Sequence, residues 1–110
     1  MSETLKILTD ENFQSTLDEK KLTLVDFSAT WCAPCKALHP IIEEIAIEFG
    51  DVVNVCTVDV DICPVFSTNY RVMSVPTLIF FREGKVLKRS IGLIQKAEII
   101  AMIEEYKQNS

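Results

Sequence analysis

From Leu22 to Ala29 the chain is apolar or β-branched at nearly every position, the pattern of a strand buried on both faces. The pattern changes at Pro34. From there to Phe49, Leu38, Ile41, Ile42, Ile45 and Phe49 recur at helical spacing, while Lys36, Glu43, Glu44 and Glu48 fall largely elsewhere. Gly50 is a natural stop for this helix, and Pro40 within it, lacking an N–H, predicts a kink. Upstream, Leu5 to Leu8 reads as a short strand. Thr9 or Asp10 then caps a short helix that sets Phe13 and Leu17 four residues apart and ends at Lys20 and Lys21. Downstream, Val52 to Val60 is a further apolar strand and Cys63 to Tyr70 a short helix. Thr77 to Arg82 and Lys85 to Ile91 bracket Glu83 and Gly84, a two-residue hairpin that makes its strands antiparallel. Gln95 to Lys107 carries Ile99, Ile103 and Tyr106 on one face, giving a last amphipathic helix. The central strand, helix, strand unit predicts a right-handed parallel crossover. The sum is a three-layer α/β domain with a mixed sheet. With no repeat, low-complexity tract or Pro/Gly-rich linker, residues 1–110 are expected to form a single domain.

A chain of 110 residues with 48% hydrophobic content buries roughly two thirds of its unfolded surface and needs no disulfide to fold. Its net charge of -5 argues against nucleic-acid binding and is read as a solubility feature. No apolar run is long enough to span a membrane, and Met1 to Lys20 contains acidic residues without a signal-peptide core, so a cytoplasmic protein is expected. In such a reducing compartment, four cysteines point to catalysis, metal binding or plain burial before a disulfide framework.

The run Trp31, Cys32, Ala33, Pro34, Cys35, Lys36 joins the buried strand to the long helix. A CxxC pair there can close a small disulfide, and the free N–H groups and dipole of a helix start stabilise a thiolate, which makes Cys32 the expected nucleophile. Half a zinc site is one alternative, with Cys56, Cys63 and His39 as further ligands, but there is no second CxxC. A cysteine hydrolase is another. It fails because His39, the sole histidine, would stand about 10 Å from Cys32 along one helix. Asp26 interrupts the apolar run Leu22 to Phe27, where an unpaired carboxylate is expensive to bury, so its pKa is expected to be raised. Trp31 is read equally as core filling or as an apolar rim. Cys56 reads as a small buried hydrophobe. Cys63, after Asp59 and Asp61 at a helix start, is either an inert thiol or an exposed regulatory one. Pro76, at the start of a strand, is expected to be trans from sequence alone.

In order and spacing, Asp26, the Trp31 to Lys36 run, Val75 with Pro76 and Thr77, and Gly92 resemble the thioredoxin family over essentially the whole chain. The resemblance implies a thioredoxin fold, with a central mixed five-stranded sheet and four flanking helices. It implies a thiol-disulfide oxidoreductase that reduces disulfides in other proteins and is recharged by an NADPH-linked flavin enzyme, thioredoxin reductase. It further implies Cys32 as nucleophile, Cys35 as resolving thiol, Asp26 as proton relay, and a cis Pro76 whose preceding residue, Val75, pairs with an extended substrate. Trp31, Ala33, Pro34, Val75, Pro76, Gly92 and Leu93 would then form the substrate-binding surface. A monomer without metal or organic cofactor is expected. The chain departs from the family at Ala33, commonly glycine; at Thr57, lysine in many bacterial relatives; and at Leu93, commonly smaller. A disulfide donor or isomerase, and a non-catalytic module whose dithiol is incidental, are the competing readings.

Overall fold

A computed structural model describes residues 5–107; residues 1–4 and 108–110 of the expected single domain lie outside the described residues. The elements follow as β1 (Leu5–Ile7), α1 (Phe13–Leu17), β2 (Leu22–Ser28), α2 (Ala33–Phe49), β3 (Val53–Asp59), α3 (Pro64–Asn69), β4 (Thr77–Arg82), β5 (Lys85–Ile91) and α4 (Lys96–Tyr106). The strands form one sheet in the order β1-β3-β2-β4-β5. β3 pairs parallel with β1 and β2, whereas β4 pairs antiparallel with β2 and β5. The expected mixed sheet with four helices is therefore present.

Alternation along β2 assigns its side chains to two cores. Leu22 and Leu24 join Val53, Val55, Leu78 and Phe80 beneath Leu38, Ile42 and Ile45 of α2 and Ile99 and Ile103 of α4. Val25 and Phe27 join Phe13, Leu17 and Phe66 on the other face, under α1 and α3. Asp26 follows Leu24 by two positions and therefore points to the α2 face, between its register partners Thr57 on β3 and Leu78 on β4. Lys96 on α4 bonds Glu44 and Glu48 of α2 at 3.0 and 2.7 Å, tying the two helices of that layer together.

The β4–β5 turn takes positive φ at both central residues, +50° at Glu83 and +78° at Gly84, which matches the right-handed twist of the flanking strands. α2 continues through Pro40, which sits on the exposed side of the helix. α1 starts later than the sequence suggests. Thr9 and Asn12 exchange bonds, Thr9 N–H to Asn12 Oδ1 at 2.7 Å and Asn12 N–H to Thr9 Oγ1 at 3.2 Å. This turn occupies residues 9–12, and Asn12 becomes the N-cap.

Asp10, expected as a local cap, instead caps α3. Its carboxylate accepts the N–H groups of Val65 and Phe66 at 3.3 and 3.0 Å, because the local N-cap, Cys63, makes no side-chain cap bond. Replacing Asp10 with Ala should lower the unfolding free energy by about 1 kcal/mol in denaturant titration, with Asp10→Asn costing less.

Candidate functional site

Cys32 is the N-cap of α2, in an extended conformation that lets its Sγ accept the Cys35 N–H at 3.2 Å. Pro34 occupies the first turn, where its missing N–H removes nothing from the helix. Cys32 and Cys35 are disulfide-bonded, with their Cα atoms 5.3 Å apart. They lie in different surroundings. Cys32 Sγ is 3.7 Å from the Val75 carbonyl oxygen. Cys35 instead lines a cleft of about 370 Å³ with Ser28, His39, Thr57 and Asp59.

The Val75–Pro76 bond is cis, as the resemblance implied and against the reading from sequence alone. Two bonds fix this loop. Thr77 Oγ1 donates to the Ser74 carbonyl at 2.8 Å, and the Gly92 N–H donates to the Pro76 carbonyl at 2.8 Å. Gly92 takes a φ of +95°, which L side chains avoid, and its N–H bond holds the turn after β5 against Pro76. Trp31 is 69% exposed, so it is rim and not core, and its Nε1 donates to Asp61 Oδ2 at 2.7 Å. Ala33, Pro34 and Leu93 are exposed, Val75 and Gly92 partly buried, and Pro76 buried. Met73, 91% exposed and two residues before Val75, extends this apolar rim. Neither Met73 nor Asp61 carries a sequence signal, because only the folded loops bring them here.

Asp26 is 1% exposed, and neither carboxyl oxygen has a hydrogen-bond partner among the described residues. Burial pushes its pKa up to about 7, and the charge of His39 pulls against that rise. His39, discounted as a ligand or base for Cys32, thus acts on Asp26 electrostatically. The missed signal was its spacing of four from Cys35. Cys56 is fully buried, and burial pushes its thiol up to about 12. Cys63 differs from the exposed thiol considered above. It is buried, with Sγ donating to the Leu8 carbonyl at 3.6 Å, and burial raises its pKa, as do Asp10 and Asp59. The helix-start effect loses because α3 lies against the β1–α1 connection, which seals the thiol. Among the described residues, no group of three or more His, Cys, Asp or Glu is placed to hold a metal ion. Nor is any of their helices long and apolar enough to cross a membrane.

The family model described as Thioredoxin matches residues 4–105. The chain belongs to the thioredoxin family. It is 39% identical over 106 residues to thioredoxin C-2 of Corynebacterium nephridii, covering 96% of this chain and 98% of that one. It is 41% identical over 109 residues to thioredoxin of Mycobacterium tuberculosis strain ATCC 25618 / H37Rv, covering 98% and 93%. The structure superposes on that of Malassezia sympodialis thioredoxin with a TM-score of 0.87 at 28% identity, covering 94% and 93% of the two chains. As a thioredoxin with the CxxC pair intact, the protein is a thiol-disulfide oxidoreductase and a protein-disulfide reductase.

The raised Asp26 pKa makes an expectation about stability. Between its unfolded value of 3.8 and its folded value of about 7, the folded state holds a proton that the unfolded state has lost, so stability falls as pH rises through this window. Asp26→Asn should therefore raise the unfolding free energy on the order of 4 kcal/mol at pH 8 and leave it nearly unchanged at pH 4, as read by denaturant titration at both pH values.

Proposed function

We propose that Cys32 opens the reaction, that Cys35 completes it, and that Asp26 handles the proton between them. The observation that carries this reading is the N-cap position of Cys32, where a backbone N–H already points at its Sγ. A thiolate there gains that donor and the positive end of the α2 dipole. It attacks one sulfur of a substrate disulfide, forming a mixed disulfide and releasing the other substrate sulfur as a thiolate. Cys35 then gives its proton to the Asp26 carboxylate and attacks Cys32 Sγ. The second substrate sulfur leaves, and the protein is left with the Cys32–Cys35 disulfide. Two electrons pass from the protein dithiol to the substrate disulfide, and the released substrate thiolates take up protons.

The substrate is read as an extended protein segment lying across the apolar rim. Trp31, Ala33, Pro34, Gly92 and Leu93 would contact its side chains, with Pro76 shaping the loop and the Val75 backbone pairing with its main chain. Val75 supports this, because its carbonyl stands beside Cys32 Sγ. Recharging falls to an NADPH-linked thioredoxin reductase, in a reducing compartment such as the cytoplasm where dithiols persist. The protein is read as a monomer. A Cys35→Ser variant should accumulate mixed disulfides with protein substrates on non-reducing gels. Cys32→Ser should form none and lose turnover by about 10³-fold or more. Mixed disulfides forming equally through Cys35 would reverse the assignment.

A further inference from the structure

Cys35 and His39 stand four residues apart on α2, so their side chains share one face of the helix a turn apart. Both line the cleft between α2, the end of β2 and β3. Thr57, on its opposite wall, is the register partner of Asp26, and its Oγ1 donates to the Asp26 carbonyl at 3.4 Å. Asp26 is sealed at the sheet behind Thr57 with both oxygens unpartnered among the described residues, while the His39 side chain, on the α2 wall of the cleft, is 48% exposed. An imidazole is the side chain whose charge ordinarily changes near neutrality.

We propose that His39 is a positioning residue for proton transfer at Asp26, its imidazolium supplying the positive charge that keeps the Asp26 carboxylate available to take the Cys35 proton. The proposal rests on the relay reading of Asp26. The electrostatics agree with the geometry, since His39 is the charge that opposes the upward push of burial on Asp26. Other charges face the pair and stay in place when His39 is changed. Glu43, on the next turn of α2, lies 3.4 Å from His39 Nε2, Lys36 of α2 and Asp59 of β3 line the cleft, and β1 contributes only the uncharged Ile7. No new atom enters the reaction. The proton moves from Cys35 Sγ to an Asp26 oxygen as before, and His39 sets the pH range over which that oxygen is free.

The test compares the parent with His39→Gln, which has no charge, and His39→Lys, which has a fixed one. Asp26 is followed by carboxyl carbon NMR across pH in the disulfide form, where neither Cys32 nor Cys35 titrates. The expected midpoints run upward from the Lys variant through the parent to the Gln variant, spanning about half a pH unit. At pH 6, resolution of a preformed mixed disulfide should slow about threefold in His39→Gln and hold its rate in His39→Lys, the same half unit read as carboxylate fraction. Identical midpoints in all three proteins, with Asp26→Asn still slowing resolution, would overturn the role of His39 alone. Resolution at the parent rate in Asp26→Asn would instead overturn the relay reading.

Discussion

A carboxyl group with no hydrogen-bond partner among the described residues is buried on the face of β2 that α2 covers, and the electrostatics of the site depend on it. Asp26 occupies a place in β2 where alternation would otherwise put another apolar side chain under α2, between Leu78 and Thr57. Burying such a group raises its pKa and costs stability at every pH where it would rather be charged. The hydrophobic contacts of α2 and α4 with the sheet, through Leu38, Ile42, Ile45, Ile99 and Ile103, must outweigh that cost. The fold thereby keeps a carboxyl group whose pKa burial raises to about 7.

The two cysteines of the motif differ because they belong to different local structures. Cys32 ends the β2–α2 connection with extended geometry, receives a backbone N–H, and faces the Val75 carbonyl across the loop that precedes β4. Cys35 lies within the helix and faces the interior cleft, in which His39 and Thr57 also stand. The sheet order makes this possible. β2 lies at the centre, so the loop after it, the cis Pro76 loop before β4 and the Gly92 turn after β5 meet at one end of the sheet. A rim of exposed apolar side chains, Trp31, Met73 and Leu93, borders that end. The two sulfurs of one disulfide therefore meet different surroundings, Cys32 the Val75 loop and Cys35 the cleft.

Elements whose boundaries are written in local chemistry were legible in the sequence. The β4–β5 hairpin falls at Thr77–Arg82 and Lys85–Ile91 because Glu83 and Gly84 can only be a tight turn there, and Gln95 proves to be the cap of α4. The start of α1 was not legible. Thr9, Asp10 and Asn12 are all good caps, and the choice among them is made by α3, more than fifty residues away, which takes the Asp10 carboxylate. The same contact region buries Cys63 against the Leu8 carbonyl, a partner that helix position cannot reveal. Asp26 and the CxxC were visible because each breaks the pattern around it. The cis bond at Pro76 was visible only through resemblance, since local preference favours trans. His39 was visible as a residue but not for its electrostatic influence on Asp26, because that needs the docking of α2 over β2 and β3.

The most direct measurement is site-resolved alkylation of the fully reduced protein with less than one equivalent of iodoacetamide at pH 7, with the labelled cysteine located by peptide mass spectrometry. If the N-cap position selects the nucleophile, Cys32 carries nearly all of the label and Cys35 little. Comparable labelling of both, or Cys35 reacting first, would contradict the account.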